Sequence, residues 1–259
     1  MDETTVETTA GRPELARGRG RLAVAARSLR IAAALGLAEA ELRGLHHVVG
    51  PGDVCFDIGA AYGMYTFPLA ELVGPGGAVH SFEPQRRPRR LLAAVRGAVG
   101  ASHVRLSDSG MGRVAGHLQL VLPSRYGLPI SGHAHLADGL APTGAPGSAG
   151  RRIRVPVTTI DDVCDARGIE RVRFIKADVE GFEPEVLHGA ARVLERDMPA
   201  LLLEIEDRHL SRYGRTAEDV SRMLRARGYG MATWRDGGWR PAERVVLGTR
   251  NYLFRAAEG

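Results

Sequence analysis

Two periods of apolar positions run through the 259-residue chain. Short apolar runs with the two-residue period of strands alternate with longer stretches at helical spacing. The predicted strands are Val54–Ile58, Ala78–Phe82, His103–Ser107, Leu118–Leu122, Ile153–Val157, a run from Val172 into Lys176, Ala200–Glu204, Tyr229–Trp234 and Asn251–Arg255. Between them fall predicted helices at Met64–Val73, Arg86–Val99, from Thr158 onward, Pro184–Leu194 and Ala217–Arg227. Strands and helices in alternation predict an α/β domain with a mostly parallel sheet and flanking helices, whose ligands bind at the carboxyl ends of the strands.

The ends and one interior stretch break this rhythm. Residues 1–20, rich in Thr, Gly and Arg, read as a disordered tail. Residues 21–49 carry apolar positions at helical spacing and read as a helical extension ahead of the main domain, residues 50–259. Such an extension packs on the core, caps a cofactor site or pairs two subunits into a homodimer. Residues 123–150 read as a long loop, hence a lid or substrate loop. Its first half holds Tyr126, Ser131, His133, His135 and Asp138.

The first strand ends in Asp57-Ile-Gly59-Ala60-Ala-Tyr-Gly63-Met-Tyr65-Thr66, and the second ends in Phe82-Glu83-Pro84. This is one βαβ unit with a glycine-rich turn and an acid 20 positions past Gly63. Glycines let a ligand approach the backbone, and a carboxylate at the end of the second strand accepts hydrogen bonds from two ribose hydroxyls. An adenosine-containing cofactor follows, either NAD or S-adenosylmethionine (SAM). The turn lacks the second glycine of a dinucleotide site, and Asp57 repels a pyrophosphate but attracts a cation, which favours SAM. Asp108, after the third strand, either reaches an adenine amino group or opens an ordinary turn.

Composition narrows the setting. With 44% hydrophobic residues, the chain can bury one substantial core. No apolar run reaches the length of a membrane span, and the polar N-terminus does not read as a signal peptide. Cys55 and Cys164 are isolated and read as buried thiols in a reducing, cytoplasmic setting. The net charge of +5 is nearly all arginine, because Lys176 is the only lysine. Arg86, Arg87, Arg89 and Arg90 read as a solvated helix face or a phosphate-facing cluster. Aromatic residues make up only 5%, too few to mark a nucleic-acid partner.

A second acidic centre lies at Lys176-Ala-Asp178-Val-Glu180-Gly181, with Glu204 ending the next strand and His209 following. Lys176 and Asp178 are two apart in a strand and share a face. The lysine either neutralises the carboxylate or, tuned by burial, serves as a base.

Together these motifs resemble the FkbM-type SAM-dependent methyltransferases, over roughly residues 50–255. The resemblance implies a class I SAM-methyltransferase fold, Rossmann-like, with a seven-stranded sheet. It matches Asp57, Gly59 and Gly63 to the SAM turn, with Ala60, Tyr65 and Thr66 beside them. Glu83 matches the ribose-binding acid, followed by Pro84, and Asp178 and Glu180 the motif near the methyl-transfer centre. Ala61 stands where the family commonly has Asn, and arginines occupy the helix after Phe82-Glu83-Pro84 where asparagines are common. The implied activity is O-methylation of a hydroxyl on a small natural product or its sugar, such as a macrolide or glycoside. A poorly acidic hydroxyl needs activation, either by Mg²⁺ held on Asp178 and Glu204 or by His133, His135 or His209 as base. The alternatives are a methyltransferase for RNA or protein, an NAD-dependent oxidoreductase and a non-catalytic SAM-binding module.

Overall fold

Strands and helices alternate along the chain as the apolar pattern predicts. The computed structural model describes residues 12–122, 124–125, 128–129, 135–137, 151–246 and 248–256. Helix α1 (Arg12–Ala34) and a 3-10 segment (Ala40–His47) precede β1 (Val54–Ile58), α2 (Thr66–Val73), β2 (Ala78–Phe82), α3 (Arg86–Ala98) and β3 (Val104–Ser107). Five short strands follow: β4 (Gly110–Met111), β5 (Gly116–Leu122), β6 (Ser124–Arg125), β7 (Leu128–Pro129) and β8 (His135–Ala137). Next come β9 (Arg151–Thr158), α4 (Ile160–Arg167), β10 (Phe174–Ala177), α5 (Glu183–His188), α6 (Ala191–Asp197) and β11 (Ala200–Glu204). The chain then runs through α7 (Asp207–Leu210), α8 (Ala217–Arg225), β12 (Tyr229–Arg235), β13 (Gly238–Pro241) and β14 (Asn251–Ala256).

The main sheet has the order β13-β12-β14-β11-β10-β1-β2-β3. Strands β11, β10, β1, β2 and β3 pair in parallel, whereas β14 runs antiparallel to both β11 and β12. The sheet therefore has eight strands among the described residues, not the expected seven. The additional strand is β13, joined to β12 through Asp236 and Gly237, whose φ values of 50° and 72° suit a two-residue hairpin turn. Its sequence, Gly-Trp-Arg-Pro, lacks the alternation that marks a strand, and its pairing rests on that turn.

Helix α1 begins at Arg12, inside the stretch expected to be a tail. Gly18, one of the glycines of that stretch, lies against the backbone of Gly100. Tertiary packing thus overrides the poor helix propensity of glycine. The predicted 123–150 loop also contains strand β8, which pairs with β5. A three-residue strand is too short to show a period. It joins β4, β9 and β5 in a separate four-stranded sheet.

Alternation divides the main sheet into two unlike faces. One face presents Phe56, Ile58, Phe82, Ile175 and Leu203 to α4, α5, α6 and α8. The other presents Cys55, Val79, Phe174 and Leu202 to α1, α2 and the 3-10 segment. Toward the carboxyl ends, this second face changes character and carries buried Asp57, Ser81, Lys176 and Glu204. Among the described residues, no helix is long and apolar enough to cross a membrane.

The 3-10 segment belongs to the core. Leu42 and Leu45 are buried, and the Trp239 indole donates to the Gly44 carbonyl at 3.1 Å. Truncating Leu45 to Ala should therefore cost about 2–5 kcal/mol, the range for a large-to-small core change. Urea unfolding of the variant tests this; a loss within ~0.5 kcal/mol, typical of surface sites, would show the segment to be detachable.

Candidate active site

Strand order reverses direction at β1, with β2 and β3 on one side and β10 and β11 on the other. In parallel sheets such a switch point opens a crevice at the carboxyl ends. Gly59 lies there. Its φ is 79°, its N–H donates to the Phe82 carbonyl at 3.0 Å, and a Cβ on it would sit 2.0 Å from the Asp178 carbonyl oxygen. Only glycine lets the β1 turn and the end of β10 approach this closely.

The same turn orients Glu83. Ala61 N–H donates to one carboxylate oxygen at 2.9 Å and Gln85 N–H to the other at 2.7 Å. Burial nevertheless outweighs these bonds and pushes the Glu83 pKa up to about 7. Ala61 adopts a left-handed φ of 44°, a conformation Asn tolerates better than Ala. Asp57 faces the other way. It is buried, accepts from the Thr66 hydroxyl at 2.5 Å, and burial raises its pKa to about 6.

A cavity connects these elements. Gly59, Ala61 and Tyr62 of the turn line one end with Glu83 and Pro84, and Asp178, Val179 and Glu180 line the other. Met111, Leu120 and Leu136, from the four-stranded sheet, complete the wall. The Tyr213 hydroxyl donates to the Leu136 carbonyl at 2.5 Å and ties this wall to the segment after α7.

Behind Asp178 lies a buried polar layer. The Lys176 ammonium is 1% exposed, 3.8 Å from an Asp178 oxygen and 5.1 Å from the centroid of the Tyr65 ring. Burial opposes its charge, but Asp178, Glu39, Glu204 and Asp57 together raise its pKa above the usual lysine value. This direction favours the reading of Lys176 as a cation that neutralises the neighbouring carboxylates over that of a base of lowered pKa. Asp178 is held below the ordinary carboxylate range: burial works against its charge, but Lys176 and a hydrogen bond with Glu204 prevail. Glu204 is pushed strongly the other way, by burial, by its hydrogen bond with Asp178 and by the Asp178 charge, although Arg250 Nη1 lies 3.4 Å from its Oε1. Glu39 accepts from the Tyr65 hydroxyl at 2.5 Å and from the Asn251 amide at 2.9 Å. The amide oxygen of Asn251 is buried with no hydrogen-bond partner among the described residues.

The turn after β10 holds the remaining acids. Glu180 takes a left-handed φ of 56°, and its Oε2 lies 2.9 Å from His209 Nδ1. Glu183 is fully buried and accepts from Val179 N–H at 3.0 Å and Gly181 N–H at 3.4 Å. Burial raises its pKa to about 7.

The candidates therefore separate by position. Gly59, Glu83, Pro84, Asp178 and Glu180 line the cavity, while Lys176, Glu204, Tyr65, Thr66 and Asp57 form the layer behind it. Ala60 is buried beside the turn, and Gly63 packs against Phe67 and Leu92. Asp108 does not line the cavity: its side chain is 63% exposed and 3.8 Å from Arg89. Arg86, Arg87 and Arg90 are exposed, as a solvated helix face would be. His133 lies outside the described residues, as do Tyr126, Ser131 and Asp138. Among the described residues no group of three or more His, Cys, Asp or Glu converges as a metal site. The Mg²⁺ expectation gains no support from this arrangement, in which the Lys176 ammonium already lies 3.8 Å from Asp178. Sequence reasoning missed Glu39 and Asn251, whose side chains carry no motif, and also the wall residues Met111, Leu120 and Leu136; Glu183 closes the acidic motif that begins at Lys176 but was assigned no role.

Glu183 gives a pH test. Its folded pKa of about 7 exceeds the ordinary value of 4.5, so the folded protein retains a proton that the unfolded chain releases. Its stabilising contribution is complete below the unfolded pKa and is lost as pH rises through the folded one. Glu183→Gln keeps the acceptor oxygen and cannot ionise. Urea unfolding at acid and alkaline pH should show the variant gaining up to ~3 kcal/mol on the wild type as pH rises. Parallel pH profiles would rule out this ionisation.

With this geometry in view, comparison with known proteins is informative. A family model described as the methyltransferase FkbM domain matches residues 57–231, well over half of the chain. The 31-O-demethyl-FK506 methyltransferase FkbM of Streptomyces tacrolimicus is 30% identical over 177 residues, covering 61% of this chain and 66% of that protein. A crystal structure of methyltransferase FkbM from Methylobacillus flagellatus superposes with a TM-score of 0.48 at 18% identity, over 94% of this chain and 60% of that one. A SAM-dependent methyltransferase from Aquifex aeolicus gives a TM-score of 0.43 at 13% identity, over 84% and 92% of the respective chains. The matched segment begins at Asp57 and spans the glycine turn, Glu83 and the acidic turn after β10, and by that match the protein belongs to the FkbM methyltransferase family.

Proposed function

We propose that the chain is a SAM-dependent O-methyltransferase acting on a hydroxyl of a small natural product or its sugar. The observation that carries this reading is the single cavity joining Glu83 to Asp178. Glu83 is a carboxylate whose two oxygens are already fixed by backbone N–H groups, and it retains lone pairs for two ribose hydroxyls. The apolar side chains of Ile58, Phe82 and Pro88 along the same wall suit an adenine ring. The residues present therefore fit SAM, which when bound supplies a methyl group already made electrophilic by its sulfonium. NAD fits less well, because the turn offers no second glycine for a pyrophosphate.

The protein must orient an acceptor hydroxyl and take its proton. Asp178, ionised and 30% exposed at its side chain, accepts the hydroxyl hydrogen bond and takes the proton as the new O–CH₃ bond forms and makes the oxygen acidic. Lys176 and protonated Glu204 hold it in place. The Glu180–His209 pair flanks the same end and is the second candidate for proton acceptance. Met111, Leu120 and Leu136 exclude water from the acceptor side. A cavity walled by a second sheet favours a small acceptor over RNA or protein. The name of the Streptomyces tacrolimicus relative, a methyltransferase for a demethylated oxygen, supports a hydroxyl acceptor. The buried free thiols Cys55 and Cys164 support a cytoplasmic setting.

Calorimetric titration with S-adenosylhomocysteine should give micromolar-range binding, weakened at least ~10-fold in Glu83→Ala, with no heat from NAD. Absent binding to the homocysteine product would overturn the methyltransferase reading. Asp178→Ala should bind the product within ~3-fold of wild type yet lose turnover on any hydroxyl acceptor found. Full activity in that variant would remove Asp178 from its role.

A further inference from the structure

The amino-terminal edge of the sheet, opposite the proposed methyl-transfer cavity, carries a second concavity of about 420 Å³. His80, Arg105, Arg167 and Arg171 line it, together with the carboxylates Asp53 and Glu170. His80 and Arg105 are partners in register across β2 and β3, so their side chains leave the same face of the sheet. Arg167, at the last turn of α4, reaches onto that face and brings Nη1 within 2.5 Å of His80 Nδ1.

The protonation of this pair is fixed by chemistry. A guanidinium can only donate, so His80 Nδ1 accepts and the imidazole is neutral, with its proton on Nε2. The ring is 2% exposed, stacked on Phe56 at 5.2 Å, and its Nε2–H has no hydrogen-bond partner among the described residues. Burial, then the charges of Arg167 and Arg105, lower the His80 pKa to about 4, which keeps it neutral. Burial and then Arg105 likewise lower the pKa of Arg167. Neither Arg105 nor Arg167 has a carboxylate within salt-bridge distance among the described residues. Two guanidiniums that repel one another and an imidazole N–H thus line one concavity, and an anion would satisfy all three.

We propose that this cleft binds a small oxyanion of the phosphate class, free or as the end of a phosphomonoester, through Arg105, Arg167 and His80 Nε2–H. Its planar donors suit tetrahedral oxygens. Asp53 and Glu170, which also line the cleft, oppose a polyanion and favour a compact ligand.

The test is titration of the full chain with inorganic phosphate, following the His80 imidazole by long-range proton–nitrogen NMR at constant ionic strength in chloride. A saturable, millimolar response centred on Nε2 is expected, weakened about tenfold or more in Arg105→Gln and in Arg167→Gln. The Arg105 side chain is exposed and makes no hydrogen bond to another described residue, so its variant separates ligand loss from misfolding, with the urea midpoint as control. Methyl phosphate binding as tightly would assign the site to a terminal phosphate group, and weaker binding would assign it to the free ion. No saturation below ~50 mM, or unchanged affinity in Arg105→Gln, would overturn the proposal.

Discussion

A lysine ammonium with 1% exposure sets the terms for the carboxyl edge of this sheet. An unpaired buried charge is prohibitively costly, so the chain must surround it with negative charge and a polarisable face. Asp178 supplies the near charge and Tyr65 the aromatic face. Glu39 adds a carboxylate from outside the sheet and is itself held by Tyr65 and Asn251. The arrangement binds the first, fourth and last parts of the parallel core to the chain that precedes them. It also sets the two neighbouring acids apart: Asp178, at the cavity, is drawn toward the carboxylate form and Glu204, behind it, toward the protonated one.

Geometry transmits this constraint to the Glu83 end of the cavity, where we propose the cofactor binds. Gly59 lies against the carbonyl of Asp178, so the turn that begins the cavity and the acid that ends it are in backbone contact. Glu83 is aimed by N–H groups from that turn and from its own strand end. A shift at either strand end would move both halves of the site.

Much of this was legible in the sequence because it follows from period and punctuation. The strand Val54–Ile58, the glycines after it, Glu83 closing β2 and the same-face pair Lys176–Asp178 all follow from alternation and turn chemistry. Three features were not legible. Glu39 has an ordinary local context, and only docking of the 3-10 segment brings it to Lys176. Strand β13 depends on the Asp236–Gly237 turn more than on its own residues. The residues of the cavity wall are plain hydrophobic positions whose orientation depends on pairing between strands far apart in the chain, as between β5 and β9. The sequence pattern also placed Asp57 toward a ligand, whereas its bond to Thr66 turns it inward.

That wall gives the two ends of the cavity different freedom to change. Glu83, Asp178 and the residues behind them are coupled through charge, so altering one disturbs the ionisation of the others. Leu120 and Leu136 belong to a small sheet with its own apolar cluster, which includes Val155, Val157 and Phe182. Exchanging one of them for a larger or smaller side chain reshapes that end of the cavity, where we propose the acceptor sits, while leaving every charge where it was. Descendants of such a chain could acquire new acceptors through changes of volume alone, with the transfer chemistry inherited intact.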